Sequence, residues 1–299
     1  NPDASYADVG LDTYIEDGYI TAINQIKTIC GTDHVNAIGY CIAGTVLSLV
    51  LALMAKRGDT SIKSASFFTT LSDFSEHGEF VGFLSNDFVD GIERQCRADG
   101  FLDHFYTART FSYLRANDLV YGPAIRAYMM GQKPPKFDLL HWNSDGTNLP
   151  ARMAIEYLRG LCQDNSFAND GFEILGETLK ISDVVHPICA VACETDHIAP
   201  WVDSFAGFAK MTEATREFIL AESGHVAGII NPPSKKKYGH YTGLDMTKPS
   251  DAAKEGASFQ DGSWWPTWDL WMKDHSGEMK PEQTAAKFLC PAPGTYVLK

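Results

Sequence analysis

The sequence predicts an α/β fold built on a mainly parallel β-sheet. Short apolar runs at residues 34–38, 61–70 and 188–193 have the length and composition of buried strands. Helix-favouring runs alternate with them, and strands that alternate with helices usually pair in parallel. The first of these strands ends in a turn of small residues, Gly39–Gly44, from which the chain passes directly into a helix.

The composition is that of a globular protein with an acidic surface. The chain has 299 residues, enough for one large domain or two ordinary ones. Its net charge of −13 argues against nucleic acid and anionic membranes as partners. No apolar run approaches the roughly 18 residues that span a bilayer, so we expect no transmembrane segment.

The cysteines carry information about the environment of the protein. Seven are scattered along the chain, and none forms a C-x-x-C pair. An odd, scattered set argues against a disulfide framework and against a zinc site. We therefore expect a reducing compartment, no metal and no cofactor.

The first part of the chain supplies the first strands of the sheet. Residues 11–29 have apolar side chains at helical spacing, and residues 34–38 form the strand that follows. The apolar run 46–55 predicts a buried helix, which ends at Lys56-Arg57-Gly58 with cations and then glycine. Residues 61–70 predict the next strand.

The middle of the chain has a different character. Residues 72–180 are rich in aromatics, short helical patterns and turns. We interpret this block as a large cap inserted over the carboxyl edge of the sheet; a second domain with its own role is the alternative. The division is therefore 1–71 (core with the nucleophile), 72–180 (cap) and 181–299 (core with the acid and the base).

The parallel-sheet pattern resumes in the last part. Residues 188–193 predict a strand, 200–211 a helix and 218–220 the last strand. The remainder is rich in turns and carries three adjacent lysines. Its last predicted element is a short helix that contains Trp271.

Cys41 lies where a nucleophile elbow would place its reactive side chain. Such an elbow is a sharp turn between strand and helix, and small flanking residues allow its strained backbone. The N-terminus of a helix also favours a thiolate. The alternative is an inert cysteine buried at a strand-to-helix turn, which is common for a lone cysteine.

Two further residues follow predicted strands in the order expected of an α/β-hydrolase. Asp196 comes after strand 188–193, and His225 comes after the last predicted strand, behind a flexible Ser-Gly. In that arrangement the thiol attacks a carbonyl, the imidazole moves the proton, and the carboxylate orients the imidazole. Alone, either could be an ordinary loop residue, and His197 is the alternative base.

The first oxyanion donor predicted is the backbone N–H of Ile42, the residue after the nucleophile. A second donor normally comes from a loop well upstream of the elbow. Only one strand is predicted before Cys41, so that loop has no counterpart in the pattern. The chain also begins at Asn1 rather than at a methionine, and we expect the upstream strands to lie outside it.

The motifs resemble those of a known family. The box Gly39–Gly44 matches G-x-C-x-G-G, with Ala43 in place of the first paired glycine. The other matching motifs are Phe111–Val120, Phe137–Leu140 with Trp142-Asn143, Thr147–Pro150, Asp196–Trp201, Ser223–Gly228 with Asn231–Pro233, and Gly262–Pro266. Together they resemble the catalytic domain of class I polyhydroxyalkanoate synthases over nearly the whole chain.

The resemblance implies an acyltransferase that polymerises (R)-3-hydroxyacyl-CoA into polyester and releases CoA. It implies Cys41 as the acylated nucleophile, His225 as the base, and Asp196 as the third member, which in this family has also been assigned to activating the incoming 3-hydroxyl. It further implies a homodimer in the cytoplasm, attached to polyester granules. His197 is expected near the substrate.

Two other functions stay open on the sequence alone. One is a cysteine-variant hydrolase, such as a thioesterase or polyester depolymerase, because one fold carries many activities. The other is a non-catalytic scaffold or granule-surface binding protein with an unreactive Cys41.

The phosphates of CoA require positive charge in an acidic protein. Lys235, Lys236 and Lys237 follow His225 on a proline-broken loop that we expect near the active edge of the sheet. The alternative is a solvated surface loop.

Overall fold

The computed structural model of the chain describes residues 1–75, 82–133, 145–211, 213–278, 290–291 and 294–295. The strands are β1 Val35–Tyr40, β2 Ile62–Phe68, β3 Phe101–Leu102, β4 Leu149–Pro150, β5 Phe172–Ile174, β6 Glu177–Leu179, β7 Ile188–Cys193, β8 Arg216–Ala221, β9 His240–Thr242 and β10 Ser258–Gln260.

Helices connect the strands. The α-helices are α1 Leu11–Thr13, α2 Thr21–Cys30, α3 Ile42–Arg57, α4 Asn86–Asp99, α5 His104–Leu114, α6 Gly122–Ala124, α7 Ala151–Ile155, α8 Trp201–Ala209, α9 Ser250–Glu255 and α10 Trp265–His275. Four stretches of the described residues are π-helical: Tyr14–Ile20, Asn117–Tyr121, Ile125–Met129 and Glu156–Gln163. The first of them joins α1 to α2, so residues 11–30 are helical without interruption, as the apolar spacing predicts.

One sheet organises the described part of the chain. Its strand order is β1-β2-β7-β8-β9-β10. The first four strands pair in parallel, and β9 and β10 continue the sheet in antiparallel fashion. The prediction of a mainly parallel α/β sheet is confirmed. Two details were wrong: β8 is not the last strand, and β1 is not buried.

The burial of β1 differs from the prediction because β1 lies at an edge. Among the described residues it pairs only with β2. Of its own residues only Gly39 is buried, while Ile38 is 52% exposed. An apolar run of this length does not by itself distinguish an edge strand from a central one.

Helix α3 is the centre of the core. Every residue from Gly44 to Met54 is buried, so the helix is enclosed on all sides rather than along one stripe. It ends where the sequence predicts: Lys56 and Arg57 occupy the last turn, and Gly58 takes the left-handed conformation with φ 67°. A helix enclosed in this way fixes the direction in which its N-terminus points.

Between β2 and β7 the chain forms a largely helical block with a small core of its own. Cys96, Leu102, Ala151 and Ala154 are buried there. Arg159 joins two of its helices through ion pairs with Asp90 and Glu93. The predicted motifs Phe137–Leu140 and Trp142-Asn143 lie outside the described residues, and the boundaries 72 and 180 stay a prediction. Within the described residues, no helix is both long and apolar enough to cross a membrane.

Thr70 lies so close to α3 that a larger residue at Gly44 should destabilise the fold. A Cβ atom at Gly44 would lie 2.0 Å from Thr70 Oγ1 and 2.9 Å from Thr70 Cβ. We expect Gly44→Ala to lower the free energy of unfolding by about 1–3 kcal/mol, because a packed core must shift to admit the methyl group. Urea unfolding measures the change.

Gly18→Ala is the matched control. A Cβ at Gly18 meets nothing within 4 Å, and Gly18 lies in the exposed part of the first helical run. The same substitution there should raise stability by roughly 0.5–1 kcal/mol. Equal effects at the two sites would contradict the proposed packing constraint.

Candidate active site

Cys41 occupies a strained turn between β1 and α3. Its backbone angles are φ 53° and ψ −128°, and a positive φ is unfavourable for any residue with a Cβ atom. Cys41 also caps the N-terminus of α3. A Cβ at Gly39 would lie 2.5 Å from the Cα of Gly44, so only small residues allow strand and helix to meet this closely.

Hydrogen bonds from neighbouring segments hold this turn. Thr70 Oγ1 donates to the carbonyl of Cys41 at 3.3 Å, and Thr45 Oγ1 donates to the carbonyl of Leu71 at 2.6 Å. On the other side, the Tyr19 hydroxyl donates to the carbonyl of Ala43 at 2.8 Å. The side chain of Ala43 is exposed, so the methyl group that departs from the family box fits without displacing the turn.

Asp196 lies in the turn after β7, with both carboxylate oxygens engaged. Oδ1 accepts hydrogen bonds from the backbone N–H groups of Ile198 and Ala199 at 2.8 and 2.9 Å. Oδ2 lies 2.7 Å from Nδ1 of His225. The side chain is fully buried. The carboxylate is thus fixed in position before any substrate binds.

His225 lies in the turn after β8, opposite Asp196. Ser223, two residues earlier, takes a positive φ of 78°, which turns the chain sharply out of the strand. Burial alone would lower the pKa of His225, but its hydrogen bonds to Asp196 and Cys41 outweigh burial and raise the pKa to about 9. Since Nδ1 faces Asp196, Nε2 is the nitrogen left for Cys41.

The structure therefore brings Cys41, His225 and Asp196 together across the carboxyl edge of the sheet. The three come from turns after β1, β8 and β7, which are separate in sequence. A thiol, an imidazole and a carboxylate in this order can form and break a covalent acyl intermediate. Their catalytic roles stay a prediction.

An apolar cavity of about 330 Å³ adjoins Cys41. Cys41 and Ile42 form one part of its wall, and helices α4, α5 and α7 of the middle block form another. Tyr157 also lines it, and burial raises the pKa of this tyrosine well above its usual value. The wall is mainly apolar, with a few threonines and the aspartates Asp73 and Asp203, which suits an acyl chain and disfavours water.

The other predicted residues take distinct positions. Ile42 is the first residue of α3, where a backbone N–H has no acceptor within the helix, so this group is free to face an oxyanion beside Cys41. His197 is half-buried beside Asp196. Lys235, Lys236 and Lys237 are exposed. Within the described residues, no group of three His, Cys, Asp or Glu side chains is arranged to hold a metal ion.

Two residues that support the site had no predicted role. The indole N–H groups of Trp264 and Trp265 donate to the carbonyls of Gly228 and Ile229, both at 2.9 Å. Gly228 and Ile229 belong to the turn that carries His225. The sequence placed both tryptophans in a motif, but nothing in their spacing indicates a partner 36 residues away.

A match to a family model agrees with this geometry. The model describes the α/β hydrolase fold, and it matches residues 2–232. The chain belongs to the α/β-hydrolase family. The sheet order and the elbow geometry of this α/β hydrolase are consistent with that assignment, and the predicted fold class is confirmed.

The relatives of this α/β hydrolase described next are all named poly(3-hydroxyalkanoate) polymerase. The poly(3-hydroxyalkanoate) polymerase subunit PhaC of Rhizobium etli is 36% identical over 100% of this chain and 48% of its own length. The poly(3-hydroxyalkanoate) polymerase of Methylorubrum extorquens is 37% identical over 99% of this chain and 50% of its own. The poly(3-hydroxyalkanoate) polymerase subunit PhaC of Cupriavidus necator is 35% identical over 99% of this chain and 52% of its own length.

The predicted resemblance to polyhydroxyalkanoate synthases is thereby confirmed. The chain spans about half the length of the curated relatives it matches.

The hydrogen bond between Asp196 and His225 makes a pH-dependent prediction. We expect Asp196→Asn to lower the pKa of His225 from about 9. Burial lowers this pKa, and the variant lacks the carboxylate that counteracts the effect of burial. NMR titration of the labelled imidazole measures this change. An unaltered His225 pKa in the variant would contradict the role assigned to the carboxylate.

The same pair should contribute to stability below a defined pH. The folded-state pKa of about 9 lies above the ordinary value of 6.5, so the stabilisation is fully present below about pH 6.5 and is lost as pH rises through about 9. The loss of unfolding free energy caused by Asp196→Asn should therefore be larger at about pH 6 than at about pH 10. Urea unfolding at the two pH values measures it.

Proposed function

We propose that the chain is the catalytic part of an acyltransferase that polymerises (R)-3-hydroxyacyl-CoA into polyester and releases CoA. The observation that carries the proposal is Cys41 on a strained elbow, hydrogen-bonded to His225 and open to an apolar cavity. Relatives named poly(3-hydroxyalkanoate) polymerases support the substrate class. A short-chain substrate such as 3-hydroxybutyryl-CoA is the first candidate.

In the first step, the acyl group passes from CoA to Cys41. His225 Nε2 takes the thiol proton, which its raised pKa favours, and the sulfur attacks the thioester carbonyl. The N–H of Ile42 stabilises the oxyanion. The carbon–sulfur bond to CoA then breaks, and His225 returns the proton to the CoA thiolate. One thioester replaces another, so the step is close to balanced in free energy.

In the second step, a 3-hydroxyl group takes the acyl group from Cys41. A base must accept the hydroxyl proton, an ester bond forms, and the Cys41 thiolate leaves and regains a proton. Asp196 has both oxygens engaged and no exposed side-chain surface. His225 is therefore the base we assign to this step, with Asp196 orienting it, rather than Asp196 acting on the hydroxyl directly.

Polymerisation requires that water does not compete with the hydroxyl group. The apolar wall contributed by the middle block supports a role for residues 72–180 as a cap that excludes water from the acyl-enzyme. Such a cap has to open for CoA and for the growing chain. We propose this gating as the function of the block.

A homodimer and attachment to cytoplasmic polyester granules complete the proposal. Both come from the resemblance to the synthases. The middle block also exposes several large apolar side chains, which a partner surface would cover. They are Leu119, Tyr121, Ile125, Tyr128, Met129 and Met130.

Replacing the nucleophile tests the activity. Purified protein is incubated with 3-hydroxybutyryl-CoA, and CoA release and insoluble polyester are both quantified. We expect Cys41→Ser to fold normally and lose at least roughly 100-fold in turnover, because a hydroxyl is far less acidic than a thiol in the same site.

Cys30→Ser is the matched control, because Cys30 is an exposed thiol at the end of α2 and should be dispensable. CoA release without polyester would favour a cysteine-variant hydrolase instead. Full turnover by the Cys41→Ser protein would exclude Cys41 as the nucleophile.

The lysine loop supplies a test for CoA recognition. Lys235, Lys236 and Lys237 are exposed beside Tyr238, whose pKa is lowered by the hydrogen bond from Lys237. We expect replacement of the three lysines with glutamine to raise KM for acyl-CoA several-fold and to weaken its salt dependence, with less effect on kcat. Phosphates remote from the thioester contribute mostly uniform binding.

Steady-state kinetics at two ionic strengths measures both effects. The matched control replaces Lys63, Lys248 and Lys273, which are exposed in β2, in the turn before α9 and in α10. If KM and its salt response changed equally in the two triple variants, the phosphate site would lie elsewhere.

A further inference from the structure

Tyr40, the residue directly before the nucleophile, extends away from α3. Successive side chains of a strand point to opposite faces, and the Cβ direction of its neighbour Gly39 faces α3 at Gly44. The side chain of Tyr40 therefore lies on the other face of the sheet. There it packs against the cluster of buried residues that includes Cys193, Ile229 and Trp264.

From that face Tyr40 reaches the backbone of His225. Its hydroxyl donates a hydrogen bond to the carbonyl oxygen of His225 at 2.8 Å. Its ring also meets the imidazole edge-on, with ring centroids 5.2 Å apart and an angle of 67° between the planes. One side chain thus contacts both the main chain and the ring of the residue 185 positions later.

The Tyr40 hydroxyl is a stable donor. Burial, and next the neighbouring Cys41, raise the pKa of Tyr40 well above its usual value. The hydroxyl therefore keeps its proton over the whole pH range in which His225 titrates. A donor that does not ionise holds the His225 carbonyl equally in each protonation state of the imidazole.

The turn around His225 needs such a contact on the side of the nucleophile. Asp196 fixes the imidazole at Nδ1, and Trp264 and Trp265 hold Gly228 and Ile229 further along the turn. None of these bonds reaches the elbow. Tyr40 is adjacent to Cys41 in sequence, so its hydrogen bond links the main chain of the elbow to the main chain of the base.

We propose that Tyr40 is a positioning residue that ties the His225 turn to the nucleophile elbow, so that Cys41 and His225 hold one separation. The contact is geometric and stands on this chain's own residues; its importance for polymer formation rests on the proposed function. A proton moves efficiently between two groups only at hydrogen-bond distance, and the His225 turn alone would otherwise set that distance.

Tyr40→Phe tests the proposal without acyl-CoA. The variant keeps the ring contact and removes only the hydroxyl group. We measure the pKa of His225 by NMR and the rate at which iodoacetamide alkylates Cys41 as a function of pH, resolved from the other cysteines by peptide mass spectrometry. Because neither readout uses the proposed substrate, the result is independent of whether the chain is a polymerase.

Thr28→Val is the matched control. It removes a hydroxyl group that also donates to a backbone carbonyl, that of Asn24 at 2.9 Å, but both residues lie in α2 rather than in the elbow or the His225 turn. Thermal unfolding of both variants reports the purely structural cost of the lost hydrogen bond.

For Tyr40→Phe we expect the imidazole to lose its fixed position relative to Asp196 and Cys41, whose hydrogen bonds raise its pKa, so the His225 pKa should fall. The alkylation rate near neutral pH should change by roughly 3- to 10-fold, which corresponds to the loss of one hydrogen bond. For Thr28→Val both readouts should match the wild type. A Tyr40→Phe protein with a lower melting temperature but wild-type His225 pKa and alkylation profile would overturn the proposal, as would equal shifts in both variants.

Discussion

The strained backbone of Cys41 is the constraint on which the rest of the site depends. A residue with a Cβ atom at positive φ costs about 1–3 kcal/mol, and it persists only where the surroundings leave no alternative. Those surroundings are a helix buried on every side, a strand whose last glycine touches that helix, and the Thr70 segment that closes over its first turn. Because α3 is enclosed, the Cα–Cβ bond of Cys41 has a fixed direction relative to the sheet.

The sequence predicted the parallel strands, α3 and the order of the three site residues, because these depend on local pattern. Strand and helix ends were placed within a few residues. The strands β9 and β10 were missed, since three-residue segments with mixed side chains carry no periodic signal. The sequence also did not predict that β1 is exposed, because an apolar run looks the same in an edge strand and in a central strand.

The parts of the site that escaped prediction are all long-range contacts. Tyr40 reaches His225, Tyr19 reaches Ala43, and Trp264 reaches Gly228. In each case a side chain donates a hydrogen bond to a main-chain carbonyl, and every residue type has such a carbonyl. Sequence pattern therefore cannot name the acceptor, although it can place the donor in a motif. The cavity likewise arises from several helices whose arrangement no single segment encodes.

The indole hydrogen bonds of Trp264 and Trp265 have a consequence for how the protein becomes active during synthesis. Translation proceeds from the N-terminus, and Trp265 follows Cys41 by 224 positions (265 − 41) in the sequence. The ribosome also keeps the newest residues in its exit tunnel. The Cys41 elbow therefore emerges before α10, while the turn that carries His225 lacks its last supports until α10 has left the ribosome. A nascent chain would hold the Cys41 thiol without a fixed proton acceptor, and so would stay inactive until α10 has emerged.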